Sequence, residues 1–132
     1  MDLRVTLKRS AVQAALADRG DFVSADELHT LVVGMGVRMG LTAVYRALRQ
    51  LEAAGVLDIT HVRAGRRLFR MRATEGRRHY LVCRRCYTGR PVDTEAVEQW
   101  ARQIAAAHGF TDLEHTIELG GVCGDCRSAV GP

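Results

Sequence analysis

The chain has 132 residues, 47% of them hydrophobic, and a formal net charge of +4. That length fits one compact unit or two very small domains, and domains so small need extra fastening from a metal or an oligomer interface. No apolar run reaches the ~18 residues of a membrane span, and the polar start, MDLRVTLKRSAVQ, does not read as a signal peptide; a soluble, cytoplasmic protein with no membrane partner is expected.

Thr6 reads as the N-cap of a first helix that runs through LKRSAVQAALAD and stops at Gly20. Ser24-Ala-Asp-Glu27 has the form of a capping box opening a second helix, with Leu28, Leu31 and Val32 as its apolar stripe and Gly34 or Gly36 at its end. Thr42 reads as the cap of a third helix carrying Val44, Leu48 and Leu51 on one face, with Gly55 at C′. Val56 to Ile59 and Leu68 to Met71 are short strand-like runs joined by a turn at Ala64-Gly65.

Three helices and a hairpin make a winged helix-turn-helix, whose third helix enters the major groove of DNA. Its polar face presents Thr42, Ala43, Tyr45, Arg46, Arg49 and Gln50, suited to phosphates and base edges. Lys8 and Arg9 on the first helix, and Arg66 and Arg67 on the wing with Arg63 and Arg70, complete the expected DNA-binding set. Charge agrees with that placement: residues 61–90 carry 10 basic side chains and 1 acidic, whereas residues 91–132 carry 2 basic and 7 acidic. A three-helix packing unit with a solvated polar face and an Arg-rich hairpin would also produce this pattern.

In the second half, His79 to Val82 reads as a strand, Thr94 to His108 as a helix with Val97, Trp100, Ala101, Ile104 and Ala105 apolar, and Phe110 to Leu119 as a strand of partial alternation. Exposed sheet edges and the apolar helix face suggest pairing with a second chain, a homodimer. The cysteines stand as Cys83-Arg-Arg-Cys86 and Cys123-Gly-Asp-Cys126. Two CxxC knuckles supply four thiolates for a structural zinc ion, Zn2+, with no open coordination position. Gly124 is expected to allow the second turn, and Arg84 and Arg85 to favour the thiolates of the first. An iron–sulfur cluster is the main alternative; disulfides fit a cytosolic chain poorly.

Gly40-Leu-Thr-Ala-Val-Tyr-Arg-Ala-Leu-Arg-Gln-Leu51, Ala54-Gly-Val56, His79-Tyr-Leu-Val-Cys-Arg-Arg-Cys86, Val97-Glu-Gln-Trp100, Glu114-His-Thr116 and the closing CxxC together resemble the ferric uptake regulator (Fur) family. The resemblance spans nearly the whole chain and is nearest to the zinc uptake regulator (Zur) branch. It implies an α+β chain: a winged-helix DNA-binding domain over residues 1–72, a hinge over 73–78, and a small α/β dimerisation and zinc-binding domain over 79–132. It implies that Tyr45 and Arg46 touch a double-stranded operator.

The resemblance also implies a regulatory metal site at the hinge, built from a carboxylate, a cysteine and two histidines. Here those positions read Asp58, Arg72, Arg78 and Tyr80, so the site is degenerate. Guanidinium groups carry no free lone pair and cannot hold zinc. An arginine paired with Asp58 to fix the hinge, an anion site, and simple loss of sensing all remain open. A further family site would use His79, Glu98 and His115 with Arg77 in place of a fourth ligand, either as a metal site or as a hydrogen-bonded cluster.

The expected function is that of a dimeric, sequence-specific transcriptional repressor. The alternatives are a redox switch acting through the four cysteines and a scaffold that has lost DNA binding. No nucleophile–base constellation, phosphate loop or open metal site points to an enzyme.

Overall fold

The computed structural model describes residues 3–62, 65–72, 79–115 and 117–129, with side chains between residues 6 and 128. Of the expected turn at Ala64-Gly65, Gly65 is seen in the left-handed region at φ 76°, with Val62 N donating to the Arg66 carbonyl at 2.9 Å; Ala64, the segment 73–78 with Arg77 and Arg78, and Arg63 lie outside the described residues.

Helices α1 (Leu3–Arg19), α2 (Ala25–Gly34) and α3 (Leu41–Ala53) close around one apolar core. Val12, Ala15 and Leu16 of α1 meet Leu28 and Val32 of α2 and Val44, Ala47, Leu48 and Leu51 of α3. Each fully buried Leu or Val removes enough apolar surface to stabilise the unit by about 1.5–3 kcal/mol. Strands β1 (Leu57–His61) and β2 (Arg67–Met71) form the antiparallel wing, with Ile59 opposite Phe69. Phe69 exchanges both backbone bonds with Val23, at 2.9 and 2.8 Å, so the wing is pinned to the α1–α2 connection.

Helix ends agree with the sequence reading in part. Gly20 and Gly55 take left-handed φ values of 71° and 76° just beyond α1 and α3. Ser24 Oγ accepts from Glu27 N at 3.2 Å. The return half of the capping box is missing, because Glu27 Oε2 instead accepts from Arg19 Nε at 3.1 Å. Ser24→Ala is therefore expected to cost about 1 kcal/mol, read as a lower denaturant midpoint with metal content unchanged. Thr6 and Thr42 do not cap. Helix α1 begins one turn earlier at Leu3, and α3 has Gly40 as its N-cap, with no side-chain bond. A threonine hydroxyl does not set a helix start when the residues before it can also enter the helix.

The second half centres on β3 (Tyr80–Cys83), flanked by antiparallel β4 (Gly89–Pro91) and parallel β5 (Leu119–Gly121). Helix α4 (Glu95–His108) ends at left-handed Gly109, and the short α5 (Gly124–Ala129) follows β5. Its core is thin: α4 buries only Ala101 and Ala105, leaving Trp100 60% exposed. The alternating run from Phe110 is not a strand before Leu119 among the described residues, and Phe110 and Leu113 are exposed. Among the described residues Leu119 is exposed as well and Ile117 is half-buried, so the run shows no buried face.

The two halves meet through a second cluster, in which Phe22 and Leu68 pack against Tyr80 and Val82. The Phe22 and Tyr80 rings stand edge to face with centroids 5.2 Å apart.

Candidate metal centre and nucleic-acid interface

Strand β3 delivers Cys83 and the turn after it delivers Cys86; β5 leads to Cys123, and α5 carries Cys126. The four Sγ atoms all lie within 4.8 Å of one another. Cys86 and Cys123 are 3.7 Å apart, close to the roughly 3.8 Å that sulfurs span around tetrahedral zinc with bonds of about 2.3 Å. Donor type, number and spacing thus fit a structural zinc ion, and four sulfurs leave no position for substrate.

The fold prepares these thiols unequally. Burial by itself would raise Cys83, but the backbone N–H groups of Cys123, Cys86 and Arg85 bring it down to about 6. The Thr88 hydroxyl, whose oxygen is 3.1 Å from its sulfur, holds Cys86 below its usual range. Cys126 is pushed up to about 12, because its thiol hydrogen-bonds to the sulfurs of Cys123 and Cys86. Of the two arginines expected to favour these thiolates, Arg85 does so through its backbone N–H, 3.4 Å from Cys83 Sγ, and both side chains are exposed. Nor does Gly124 take the left-handed turn; it opens α5, and Tyr87 has the positive φ, 65°.

Asp58, expected to belong to a regulatory site, is buried near the start of β1. Its Oδ2 accepts from the Tyr80 hydroxyl at 3.1 Å and its Oδ1 from Arg72 Nε at 3.4 Å. Arg72 Nη2 also donates to the Leu57 carbonyl at 3.3 Å. Burial first, and then the Asp58 charge, raises the Tyr80 pKa, so Tyr80 remains a donor. Arg70 stacks 4.9 Å from the Tyr80 ring centroid. His61 turns away from this cluster and pairs with Glu118 at 2.8 Å.

For the further expected site, His79 Nε2 and Glu98 Oε1 are 3.9 Å apart. His115 is exposed and does not join them: among the described residues the cysteine quartet is the one group with metal-ligand spacing. His29 makes a different contact, with its Nε2 2.9 Å from the Met39 carbonyl.

On α3, Thr42, Tyr45, Arg46 and Arg49 are exposed on the face opposite Val44, Leu48 and Leu51. Gln50 is only half-exposed, and its Oε1 is buried without a partner. Lys8 and Arg9 are half-buried on α1. The wing arginines are already engaged. Arg66 donates to the Tyr87 hydroxyl at 2.8 Å and lies 3.9 Å from Asp26. Arg67 pairs with Glu52 at 3.0 Å and stacks on Phe69. Of these partners only Tyr87 belongs to the other half, and none could be paired with its arginine from sequence spacing alone.

An exposed reading helix beside a wing, joined to an α/β half drawn together by four thiols, defines a metal-responsive DNA-binding transcriptional regulator. The sequence profile of the ferric uptake regulator family matches residues 1–120, and the chain belongs to that family, whose members are transcription regulators and not enzymes. It is 42% identical over 126 residues to the zinc uptake regulation protein of Mycobacterium tuberculosis, covering 96% of each chain. It is 33% identical over 129 residues to the ferric uptake regulation protein of Escherichia coli K12, covering 95% of this chain and 86% of that one. The solved structure of FurB, a zinc uptake regulator from M. tuberculosis, aligns with 95% of this chain and 96% of its own at 40% identity and a TM-score of 0.56.

Proposed function

We propose that the chain acts in the cytoplasm as a homodimeric repressor that binds a specific operator, with one structural zinc per chain and a hinge that takes no zinc. The observation that carries the hinge reading is the Asp58 carboxylate, whose oxygens accept from Tyr80 and Arg72. The guanidinium supplies the positive charge a cation would bring and offers no lone pair to one. Arg72 and Tyr80 thereby fix the hinge without an ion. The His79–Glu98 pair serves as a polar contact of the C-terminal half.

Dimerisation is supported by the outer face of α4, where Val97, Trp100 and Ile104 are exposed, and by the open edge of β5. An apolar stripe of that kind is the usual mark of a buried contact between proteins. The reading helix would contact DNA through Thr42, Tyr45, Arg46 and Arg49, with Lys8 and Arg9 toward phosphates. On this reading residues 1–72 bind DNA, 73–78 form the hinge and 79–132 dimerise.

Elemental analysis of dialysed protein is expected to give one zinc per chain, with operator binding undiminished by a chelator too weak to strip the thiolates. A second zinc that survives His115→Ala would overturn the hinge reading. A second zinc lost in that variant would place an ion on His79 and Glu98 instead.

A redox switch is favoured by one feature, the exposure of Cys86 with its sulfur 3.7 Å from Cys123. Two-electron oxidation by peroxide would join those sulfurs, release zinc and reduce the peroxide to water. Zinc release together with loss of operator binding on peroxide treatment would select this reading.

A further inference from the structure

Contacts between the two halves converge on a piece of chain that the metal knuckle shapes. Tyr87, Thr88 and Gly89 follow Cys86 directly. Tyr87 packs against the cluster of Phe22, Leu68, Tyr80 and Val82, and its hydroxyl accepts from Arg66 on the wing. The Gly89 N–H donates to Asp21 Oδ1 at 2.8 Å, and the same oxygen accepts from Phe22 N. Gly89 also presses on Phe22: a Cβ there would stand 2.8 Å from two ring carbons, Cδ2 and Cε2. Only a residue without a side chain lets β4 approach this closely.

The turn does not set its own shape. Tyr87 sits in the left-handed region, at φ 65°, which is costly for a residue with a side chain. Two backbone bonds hold it there, Tyr87 N to the Cys83 carbonyl and Cys83 N to the Thr88 carbonyl, both 2.9 Å. These are the bonds that close the loop carrying Cys83 and Cys86. The geometry that gathers the thiols therefore also dictates where Tyr87 and Gly89 stand, and they dock on Asp21, Phe22 and Arg66.

We propose that the turn 87–89 is a latch by which the cysteine knuckle sets the orientation of the DNA-reading half, and that Gly89 and Tyr87 are positioning residues for operator binding. The inference rests on the operator-binding reading. A two-fold regulator must present its reading helices about one duplex turn apart. A reading half that pivots on its partner presents them correctly for only part of the time, and apparent affinity falls by that fraction. The contacts of Tyr80 with Asp58 and Arg70 survive a change at residue 89, so the halves loosen but do not separate.

The test compares the full-length, zinc-loaded dimer with its Gly89→Ala variant. Expected results are a larger radius of gyration in small-angle X-ray scattering, unchanged zinc and dimer mass, and an operator affinity lower by about tenfold or more. Adding Phe22→Leu, which makes room for the methyl group, should recover part of both losses. Asp21→Ala removes the Gly89 acceptor from the side remote from the cysteines and should act in the same direction. Affinity within about twofold of the parent together with unchanged scattering, in both single variants, overturns the latch. So does loss of zinc or of the dimer alongside lost binding in both, since Gly89 would then merely support its own half. The scattering comparison needs no DNA, so failure of the parent to bind any operator counts against the operator reading and leaves the latch decided by the scattering.

Discussion

Replacing Cys123 by serine is expected to remove the zinc and unfold the C-terminal half while leaving the three-helix unit folded. The buried side chains of that half include Tyr80, Val82, Cys83, Ala101 and Ala105, and two of these, Tyr80 and Val82, face the cluster shared with the other half. Small domains of this kind bury too little surface to stand alone. Structural zinc contributes roughly 10–16 kcal/mol in small zinc peptides, as much as the whole stability of a typical domain, about 5–15 kcal/mol. A serine hydroxyl stays protonated at neutral pH and cannot replace a thiolate. The helical core around Leu16, Val44 and Leu48 lies apart from the cysteines, so circular dichroism should keep most of its helical signal. Elemental analysis should find no stoichiometric zinc, and the proposed dimer should dissociate.

The same site predicts the sign of the pH effect. Near pH 7 Cys83, at about 6, is already largely ionised in the metal-free chain, whereas Cys126, at about 12, keeps its proton. Zinc capture must therefore displace protons, and zinc affinity rises with pH. Lowering the pH from about 8 to about 6 should weaken zinc retention in a competition assay. Stoichiometric zinc in Cys123→Ser would overturn the first expectation, and zinc held equally well at about pH 6 and about pH 8 would overturn the second.

What could be read in the sequence was local or carried by unusual chemistry. The ends of α2 and α3 were legible because Ser24 and Gly55 perform jobs few residues can do. The quartet was legible because two CxxC pairs have few other uses. The alternation from Phe110 to Leu119 misled because period two reports a face to be buried, and in the single chain Phe110, Leu113 and Leu119 stay exposed. The joint between the halves was illegible for a different reason. Asp21 and Gly89 are 68 residues apart, His61 and Glu118 57, and Arg66 and Tyr87 21. Nothing in their local patterns marks them as partners. The Asp58 cluster lies between these cases: the sequence offered an arginine as a partner for the carboxylate, while Tyr80 as its second partner emerged only from the fold.

Arg46→Ala is expected to weaken operator binding more than any substitution of a wing arginine. Arg46 is exposed on the outer face of α3 and makes no ion pair among the described residues, so its charge is free to meet DNA. Arg66 and Arg67 start from contacts with Tyr87 and Glu52 that DNA must first displace. One arginine contact to a base edge or phosphate contributes about 1–3 kcal/mol, and the proposed dimer would make it twice, so the loss should be about 2–6 kcal/mol, roughly 30-fold at its lower end. If the contact is to phosphate, the slope of log affinity against log salt should become shallower by about two for the dimer. If it is to guanine, the slope changes less and discrimination between operator and mismatched duplex narrows. Because the side chain is exposed and packs on no core residue, the unfolding midpoint should barely move. Arg46→Ala that binds operator as tightly as the parent, with the same salt slope and the same discrimination, would show that α3 does not read the duplex through this face.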